Sequence, residues 1–495
     1  MKIQTLFLFL MSTPLAMAQS PAAIPEHEEI VGPFDTPQAV TRACLECHAE
    51  QAEDLVHSRH WNWLGQTFEK DGEEVRLGKQ TMLNNFCINI RSNEPRCTSC
   101  HIGYGWKDDT FDFDNKENMD CLVCHDGTGT YVKFPTDAGY PVYQEEFAED
   151  GKLFKAKNKV FPQVDLLAVA RSTQSPKNEN CGSCHFFGGG GHNVKHGDLT
   201  KALINPSFEF DAHMGHPDPE KRQTCVSCHK DATKHDIRGS AHASMAAGQG
   251  HFGCVACHDE PEVHTKKMGS MLNMHAKSVS CETCHIPTVA KKFPTKTWWD
   301  WTTAGDKTRE VTKTDGVADY SWKKGDFGWE KDLKPEYYWY NGTTEMVYLG
   351  DPVEPVDGIV SLNPLNGDLN DPTAKIGAFK VMRGKQFRDK NTKQLLVPHL
   401  FGKGGYWKTL DWNQSFINGM GAVGLEYSGE YDAVETEMYW PLYHMVAPAK
   451  EAAKCIDCHV KDPGTVGLLD WDRLGYPGDP VKTGRSRATD GVVEW

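Results

Sequence analysis

The sequence predicts a mainly α-helical and irregular fold with little β structure, in which side chains alone do not fill the interior. The chain has 495 residues, of which only 39% are hydrophobic, and it contains 45 Gly and 27 Pro. Pro and Gly interrupt the helical patterns, and strict alternation of apolar and polar residues is weak. The 17 Cys and 22 His therefore indicate that a bound group completes the core.

The net charge and the N-terminal residues indicate what class of protein this is and where it is located. Lys and Arg number 53 against 68 Asp and Glu, a net charge of −15, whereas a nucleic-acid-binding protein carries a basic patch or stripe. Lys2 precedes an apolar stretch, and Ala16–Ala18 has the A-x-A pattern of a signal-peptide cleavage site. Residues 1–18 are therefore predicted to be the signal peptide of a periplasmic protein that does not span the membrane. A retained membrane anchor is the alternative.

Sixteen of the seventeen cysteines lie in eight C-x-x-C-H motifs, the signature of c-type haem attachment. Two thiols separated by two residues can form thioethers with one porphyrin, and the following His is carried beneath the iron. Disulfides would not need a His after every second Cys, and zinc sites would need paired C-x-x-C units or His spacers. The predicted haem-binding motifs are Cys44/Cys47/His48, Cys97/Cys100/His101, Cys121/Cys124/His125, Cys181/Cys184/His185, Cys225/Cys228/His229, Cys254/Cys257/His258, Cys281/Cys284/His285 and Cys455/Cys458/His459.

Haem attachment also explains the small hydrophobic fraction. Each porphyrin is a large, flat apolar body, and burying apolar surface contributes about 25 cal/mol per Å². Seven of the motifs lie between Cys44 and His285, so neighbouring porphyrins must be in contact, as rapid electron transfer requires. The predicted fold class is therefore a multihaem cytochrome c whose core consists of packed haems, eight of them covalently attached.

Second iron ligands are expected among the fourteen histidines outside the motifs. Ligation of eight haems by two histidines each would use eight of them. His60 lies in a His-Trp-Asn-Trp string whose indoles can cover a porphyrin face, and the other candidates lie a short loop away from a haem. His27 is expected in a disordered N-terminal segment. The predicted distal ligands are His60, His213, His235, His242, His264, His275 and His444.

The motifs divide the chain into regions. Residues 19–285 carry seven motifs, and residues 455–495 carry the eighth motif and a C-terminal tail. Between them, residues 286–454 contain nine of the fourteen Trp and ten of the fifteen Tyr. We interpret this aromatic region as a wrap that covers haem faces and closes a pocket. A separate small domain is the alternative.

A few local patterns predict regular secondary structure. Asn341-Gly342 predicts a type I′ turn that joins residues 337–340 to residues 343–348 in a β-hairpin. Asp71-Gly72 predicts a second hairpin. Short helices are predicted at Leu166–Arg171 and at Pro448–His459.

Two other segments differ from the binding loops they superficially resemble. The acidic run from Asp108 to Asp120 lacks the Gly and the terminal Glu of an EF-hand. We interpret it as a solvated loop, with a calcium site as the alternative. Gly188–Gly191 is followed by no G-K-[ST] sequence and is therefore not a phosphate loop. Close approach of the backbone to a porphyrin is the better interpretation.

Several strings together resemble the octahaem tetrathionate reductase family of periplasmic multihaem c-type cytochromes. They are CGSCHFFGGGG at 181–191, VKHGD at 194–198, SCETCHIP at 280–287 and EMYWPLYHMV at 437–446. The resemblance covers nearly all of the chain after the signal peptide. It implies seven haems with two His ligands each and one substrate haem, on the second motif with His101. It also implies that a Lys of the glycine-rich loop coordinates that iron near a free Cys, and Lys195 and Cys87 match these positions.

The chain departs from the family at one position near Lys195. The family has an acidic residue three positions before this lysine, where the present chain has His192. Because His192 and His196 flank Lys195, a histidine could replace the lysine as iron ligand. Lys195 itself can ligate only as a neutral amine, which requires its pKa to lie well below about 10.4 through burial and the charge of the metal. A solvated lysine is the alternative.

Cys87 is the unpaired seventeenth cysteine and lies near Arg91 and Arg96. Positive neighbours lower the pKa of a thiol and favour the nucleophilic thiolate. Beside a haem, such a thiolate is predicted to attack the central S–S bond of tetrathionate and release thiosulfate. The alternative is an inert buried thiol.

The motifs and the resemblance together predict a haem-dependent reductase with Lys195, Cys87 and His101 as catalytic residues. Its partners are expected to be a periplasmic or membrane-bound electron-donor cytochrome and a small oxyanion substrate. Tetrathionate is the first candidate, and nitrite and hydroxylamine are compatible because an exchangeable haem can bind both. Two alternatives stay open: a pure electron conduit with eight saturated haems, and an octahaem enzyme that oxidises hydroxylamine.

Overall fold

Short helices dominate the parts of the chain that carry the motifs. The computed structural model describes residues 25–143, 155–156, 159–229, 235, 237, 253–258, 263–460, 467–488 and 491–494, so the predicted signal peptide lies outside the described residues. Among those residues, no helix combines the length and the apolar character needed to cross a membrane. The α-helices are α1 (Pro25–Glu28), α2 (Pro37–Val56), α3 (Arg59–Asn62), α4 (Glu94–Cys97), α5 (Leu122–His125), α6 (Leu166–Arg171), α7 (Asn178–His185), α8 (Cys225–Cys228), α9 (Gly269–His275), α10 (Cys281–His285), α11 (Tyr406–Thr409), α12 (Trp412–Ala422), α13 (Cys455–Cys458) and α14 (Pro480–Thr483). The 3-10 helices are Thr98–Cys100, Lys116–Asn118, Lys201–Leu203, Pro219–Lys221, Cys254–Ala256, Trp301–Thr303 and Ala449–Glu451.

Each haem-binding motif lies on or directly beside a short helical turn. Residues i, i+3 and i+4 of a helix share one face, so both cysteines and the following histidine of a motif point to the same side. The first motif lies inside α2, which begins after the N-cap Thr36, whose side chain accepts a hydrogen bond from the Ala39 amide (3.2 Å). The helical geometry breaks at His48, which has φ −114° and ψ 33°.

Strands lie mainly in the aromatic region. They are β1 (Leu64–Lys70), β2 (Glu73–Gly78), β3 (Lys155–Ala156), β4 (Lys159–Val160), β5 (Thr295–Asp300), β6 (Lys313–Thr314), β7 (Val317–Ala318), β8 (Tyr320–Ser321), β9 (Gly325–Glu330), β10 (Glu336–Tyr340), β11 (Ile359–Ser361), β12 (Lys375–Asp389), β13 (Tyr431–Pro441), β14 (Arg485–Ala488) and β15 (Gly491–Glu494). Seven of them form one sheet in the order β11-β13-β12-β5-β9-β8, and β10 pairs with β12. β structure is therefore more extensive than the sequence patterns predict.

The hairpin predicted at Asp71-Gly72 is confirmed. β1 and β2 pair in antiparallel fashion around this turn. Asp71 has φ 53° and Gly72 has φ 82°, and positive φ at both central residues is what a type I′ turn requires.

The hairpin predicted at Asn341-Gly342 is wrong. β10 ends before this turn and pairs antiparallel with the N-terminal part of β12, and residues 343–348 form no strand. The Asn341 side chain accepts a hydrogen bond from the Thr343 amide (3.0 Å). Such a local bond makes an Asx turn, and the long strand β12 supplies the partner for β10 instead.

Of the two predicted helices, Leu166–Arg171 is confirmed as α6. The helix predicted across Pro448–His459 is wrong in its middle, because a 3-10 turn covers Ala449–Glu451 and α13 begins only after Lys454. The Asp457 carboxylate accepts a hydrogen bond from the Lys454 amide (2.7 Å). This bond satisfies a free N–H group at the start of the new helix.

A hydrophobic core joins the sheet to the two segments that carry the candidate site residues. The segment before the second motif contributes Phe86, the glycine-rich loop contributes Val194, and the sheet contributes Trp299, Met382 and Trp440. Burying one side chain of this size contributes roughly 1.5–3 kcal/mol. The core therefore holds the segments around Cys87 and Lys195 against the sheet.

Candidate functional site

Pairs of histidine rings lie at the distance that two ligands of one metal ion require. An imidazole nitrogen binds a metal at about 2 Å, so two imidazoles on opposite sides of one iron have ring centres roughly 6 Å apart. Seven motif histidines have a second histidine ring at such a distance. The pairs are His27–His48 (6.0 Å), His60–His185 (5.9 Å), His125–His235 (6.4 Å), His213–His258 (6.0 Å), His229–His444 (6.2 Å), His264–His285 (6.4 Å) and His275–His459 (6.3 Å).

The surroundings of several of these rings also suit iron ligation. A metal-bound histidine donates its other ring N–H to an oxygen acceptor. Burial lowers the pKa of His60 to about 4 and lowers those of His125 and His185, so these imidazoles are neutral as ligation requires. Nδ1 of six paired rings lies near an oxygen and leaves Nε2 for iron. The oxygens are Thr173 Oγ1 for His27 (2.6 Å), Gln174 O for His125 (2.8 Å), Asn273 Oδ1 for His264 (3.0 Å), Met271 O for His275 (2.8 Å), Asp198 Oδ2 for His444 (3.0 Å) and Asp479 Oδ1 for His459 (2.7 Å).

Six of the seven predicted distal ligands stand in these pairs, and the seventh, His242, lies outside the described residues. The remaining pair contains His27, for which the sequence predicts a disordered segment. His27 instead lies in the last turn of α1, with its ring 6.0 Å from that of His48. No local signal indicates this position, because Thr173, which contacts Nδ1 of His27, is 146 positions away in the chain.

The motif cysteines differ in how far the polypeptide buries them. Most are partly buried, but Cys47 and Cys257 are exposed, as is Cys455.

The reason for this exposure is local. Glu46 beside Cys47 is itself exposed on α2. Val255 is 49% exposed on the short 3-10 turn that precedes Cys257. Neither thiol belongs to a hydrophobic cluster of the described residues. Haem attachment through Cys47 and Cys257 stays a prediction from the motif. The exposure of these residues is compatible with attachment, because thioether formation needs an accessible thiol.

His101 differs from the other motif histidines. The rings around it belong to aromatic residues, with ring centres of Trp61, Trp63 and Trp106 at 5.1, 5.4 and 4.9 Å. No histidine of the described part of the chain makes a ring contact with His101. Its Nδ1 is buried without a hydrogen-bond partner, and burial lowers its pKa to about 3. Within the described residues, the second motif therefore has no paired histidine, unlike the other seven.

Lys195 follows the tetraglycine segment on a loop whose backbone is held by the sheet. Gly189 and Gly190 both have φ 80°, a conformation that glycine adopts without a steric penalty. Beyond them, Nζ of the buried Lys380 donates hydrogen bonds to the carbonyls of Val194 (2.9 Å) and Lys195 (3.0 Å). Because Lys380 belongs to β12, the sheet determines where the loop places Lys195.

The Lys195 side chain has the protonation that iron ligation needs. Its Nζ lies 4.4 Å from the ring centre of Trp440. Burial, with a smaller contribution from the charge of Lys79, lowers the pKa of Lys195 to about 7. A large share of the molecules therefore carries a neutral amine at pH 7.

The two flanking histidines have different surroundings. His196 packs on the Trp440 indole, with ring centres 5.0 Å apart, and so lies on the same surface as Lys195. His192 lies 4.6 Å from the ring of Phe293, and its Nε2 accepts a hydrogen bond from the Lys201 amide (3.0 Å). The contacts of His192 thus lie away from Trp440.

Cys87 lies against the tetraglycine segment. Its Sγ is 3.4 Å from the position that a Cβ at Gly190 would occupy. Asn84 accepts a hydrogen bond from the Cys87 amide (2.6 Å) and holds this turn. The Cys87 charge raises the pKa of Cys97, which places the free thiol next to the second motif.

The expectation that positive neighbours lower the pKa of Cys87 is wrong, because the net shift of this pKa is upward. Burial raises the pKa of the Cys87 thiol, and the charges of Lys324 and Lys296 only partly oppose this effect. Arg96 contributes less than either lysine. Arg91 forms an ion pair with Glu94 (3.4 Å) and does not act on the thiol.

Thiols of different motifs also lie next to one another, as the predicted contact of neighbouring porphyrins requires. Four pairs of cysteine side chains from different motifs lie within interaction distance of each other. The pairs are Cys44–Cys121, Cys100–Cys184, Cys181–Cys225 and Cys254–Cys281. They join the first motif to the third, the second and the fifth to the fourth, and the sixth to the seventh, so spatial order differs from chain order.

Calcium binding by the acidic run from Asp108 to Asp120 is not supported by its contacts. Within the ranges described, no group of three or more His, Cys, Asp or Glu residues could hold a metal ion. Asp120 instead forms a buried ion pair with Lys133 Nζ (2.9 Å) and accepts hydrogen bonds from Tyr104 (2.8 Å) and Tyr131 (3.0 Å).

Known proteins resemble this chain in parts and as a whole. The family models Cytochrome c bacterial and Cytochrome c554 and c-prime match residues 296–462 and 43–126. An uncharacterized protein of Archaeoglobus fulgidus is 21% identical over 223 residues, which are 38% of this chain and 72% of that protein. The crystal structure of octaheme cytochrome c from Shewanella oneidensis is 44% identical, with a TM-score of 0.80, over 92% of this chain and 98% of that chain.

This likeness confirms the predicted fold class, because it extends over nearly the whole of both chains. The cytochrome c family matches agree with the C-x-x-C-H motifs, which attach haem c covalently. The paired histidines have the spacing of iron ligands. The chain therefore belongs to the octahaem c-type cytochromes, haem-dependent redox proteins that transfer electrons.

Proposed function

We propose that the protein is a periplasmic reductase that passes electrons from a donor cytochrome to tetrathionate at a site formed by His101, Lys195 and Cys87. The observation that carries the proposal is the difference between the second motif and the others. Seven motif histidines have a histidine partner at 5.9–6.4 Å, whereas aromatic rings surround His101. Two histidines saturate an iron, whereas a lysine amine can be displaced and leave a position for substrate.

Different residues of the chain have different roles at this site. His101 and Lys195 would hold the iron of the second haem, and the haems supply one-electron transfer when bound. Lys195 suits this role because burial lowers its pKa to about 7. Lys380 holds the backbone carbonyl of Lys195 (3.0 Å), so the amine is presented by a rigid loop. His192 is a weaker candidate because its Nε2 accepts a hydrogen bond from the Lys201 amide.

Cys87 supplies the nucleophile. Its thiolate attacks one central sulfur of tetrathionate, so that a Cys87–thiosulfate disulfide forms and the first thiosulfate leaves. Two electrons from the reduced donor cytochrome then cleave this disulfide, which restores the thiolate and releases the second thiosulfate. The net change is tetrathionate plus two electrons to two thiosulfates, with no proton consumed.

Ligand exchange tests whether the protein has a substrate haem. Nitrite added to the oxidised holoprotein is expected to change the visible spectrum of one haem. The Lys195→Leu variant is expected to perturb the same haem before nitrite is added, and Lys201→Leu, on an exposed side chain of the same loop region, serves as the matched control. If all eight irons refuse nitrite in the wild type, the protein is an electron conduit and the proposed catalysis is wrong.

Turnover tests the role of the thiol. With a reduced viologen as donor, Cys87→Ala is expected to lose tetrathionate reduction and to retain nitrite reduction, because nitrite needs the exchangeable iron but no thiol. Full tetrathionate turnover in Cys87→Ala would contradict the nucleophile role. Loss of both activities would show that Cys87 supports the haem site rather than the sulfur chemistry.

A further inference from the structure

Lys296 is a buried lysine surrounded by aromatic rings. Only 4% of the surface of this residue is exposed. Its Nζ lies 3.6, 3.4 and 4.9 Å from the ring centres of Trp299, Phe327 and Trp329. In the described part of the chain, Lys296 forms no ion pair with a carboxylate. Buried lysines are normally paired, so this one needs an explanation.

A β-bulge turns Lys296 towards the aromatic rings. The pairing of β5 with β9 shifts register between Lys296 and Trp298. Because of the shift, Lys296 lies opposite Trp329 and Trp299 lies opposite Phe327, which places both β5 residues on one face. In a regular strand, residues three positions apart face opposite sides. Bulges commonly re-aim a side chain next to an active site.

A second lysine, Lys324, lies beside the same indole. This lysine and the free thiol of Cys87 both lie beside Gly190 of the glycine-rich loop. Lys324 Nζ lies 5.5 Å from the ring centre of Trp299, which is also the ring contacted by Lys296. The position that a Cβ at Gly190 would occupy lies 3.6 Å from Lys324 Nζ and 3.4 Å from Cys87 Sγ. A side chain at Gly190 would therefore enter the space between the thiol and Lys324. The Lys324 amine and the Cys87 thiol thus both lie beside the Gly190 backbone, and Lys296 and Lys324 share the Trp299 ring.

The charges of this cluster favour an anion. Lys296 and Lys324 each act on the Cys87 thiol, and each repels the other's charge. Burial and the charge of Lys324 hold the pKa of Lys296 well below its usual range. A small anion between the two lysines would relieve both the repulsion and the loss of hydration. The aromatic rings exclude water, which strengthens such an ion pair.

We propose that Lys296 and Lys324 form an anion subsite that binds the terminal sulfonate group of a polythionate while its central sulfur faces Cys87. The assignment rests on the proposed function for the identity of the anion. The binding of an anion beside the Cys87 thiol stands on the cluster itself. The subsite selects substrates that carry a sulfonate over neutral molecules such as hydroxylamine.

Alkylation of Cys87 tests the subsite without any turnover. Cys87 is the only cysteine outside the motifs, so in the holoprotein it is the free thiol. Iodoacetate is an anion and iodoacetamide is neutral, and the same thiolate displaces iodide from either reagent. The ratio of their rates therefore cancels any change in the pKa of the thiol and reports on anion binding. Labelling of the oxidised holoprotein is followed by mass spectrometry at constant ionic strength.

Lys296→Met is expected to lower the iodoacetate-to-iodoacetamide rate ratio about tenfold, and Lys296→Arg to restore most of it. Thiosulfate is expected to protect Cys87 from iodoacetamide in the wild type and not in Lys296→Met. Lys292→Met removes an exposed lysine four residues earlier and is the matched control. Lys324→Met is the second variant in case Lys296→Met does not fold.

Ratios in Lys296→Met and Lys324→Met within twofold of the wild type would overturn the proposal, as would an equal fall in Lys292→Met. Tetrathionate kinetics separate this result from the proposed function. If the rate ratio falls as expected but the wild type does not reduce tetrathionate, the anion site stands and the proposed function fails. If the wild type reduces tetrathionate and Lys296→Met has an unchanged KM, the subsite is wrong and the proposed function stands.

Discussion

Lys380→Met is a stringent test of how the sheet controls the substrate site. Lys380 is fully buried on β12, and its Nζ donates hydrogen bonds to the carbonyls of Val194 (2.9 Å) and Lys195 (3.0 Å). Met has a similar length but no donor. The substitution therefore removes the link between the sheet and the loop and leaves the rest of the core in place.

The free-energy cost of Lys380→Met follows from the two backbone carbonyls that lose their hydrogen-bond donor. Each buried carbonyl left without a partner costs about 1–3 kcal/mol, so the pair costs about 2–6 kcal/mol. Burial lowers the pKa of Lys380 to about 7, against the opposing charge of Asp198. At pH 8 the amine is therefore mostly neutral, and removing it relieves little charge penalty. If about a third of the cost appears as displacement of the loop, the hold on Lys195 weakens by about tenfold, because 1.4 kcal/mol corresponds to tenfold.

The assay is a titration of the oxidised holoprotein with nitrite at pH 8, followed by the spectrum of the exchangeable haem. A weaker hold on Lys195 makes its amine easier to displace, so Lys380→Met is expected to bind nitrite about tenfold more tightly. Lys375→Met is the matched control on the same strand, because Nζ of Lys375 donates to the Ala276 carbonyl (2.7 Å) and not to the loop. Wild-type nitrite affinity in a Lys380→Met protein with full haem content would refute the reasoning. So would equal tightening in Lys375→Met.

Three further predictions concern other groups. Because burial raises the pKa of Cys87, tetrathionate turnover is expected to rise with pH from 7 to 9 as the thiolate fraction grows, and a flat profile would contradict thiolate attack. Burial would raise the pKa of Glu336, but hydrogen bonds from Arg383 (2.6 and 2.9 Å) hold this pKa below its usual value. The pair therefore stabilises the fold fully at pH values above the usual pKa of a glutamate. This stabilisation is lost as the pH falls through the lowered pKa. Glu336→Gln is expected to cost about 1 kcal/mol at pH 7 for this partly exposed pair and progressively less as the pH falls through the lowered pKa of Glu336, measured by thermal melting. Asp479→Asn is expected to raise the potential of one haem only, in spectroelectrochemistry, because the Asp479 carboxylate contacts Nδ1 of His459 (2.7 Å) and makes the imidazole a stronger donor.

Local patterns predicted the elements whose contacts are themselves local. The type I′ hairpin at Asp71-Gly72 depends on two adjacent residues, and helix Leu166–Arg171 depends on one turn of apolar residues. The same rule failed at Asn341-Gly342, because β12 lies more than thirty residues further along the chain and competes for β10. Few of the strands in the aromatic region have a signal of their own, since their pairing is decided by partners far away.

The candidate site shows the same division. Its glycine-rich loop and free thiol stand out in the sequence, and six distal histidines were predicted from their nearness to a motif. The position of His27 was missed because its partners, His48 and Thr173, lie in separate parts of the chain. Lys296 was missed because a lysine in a strand carries no sign of burial. Only the register shift beside Trp298 turns it inward.

The sequence by itself determined how the haems are attached, because two cysteines and a histidine within five residues share one face of a single helical turn. Only the tertiary structure decided which histidine faces which motif, which motif thiols the polypeptide leaves exposed, which lysines surround Cys87, and which group of the sheet holds Lys195. These contacts join residues tens to hundreds of positions apart. Their free energies depend on burial and on the absence of competing partners, and neither quantity exists until the chain has folded.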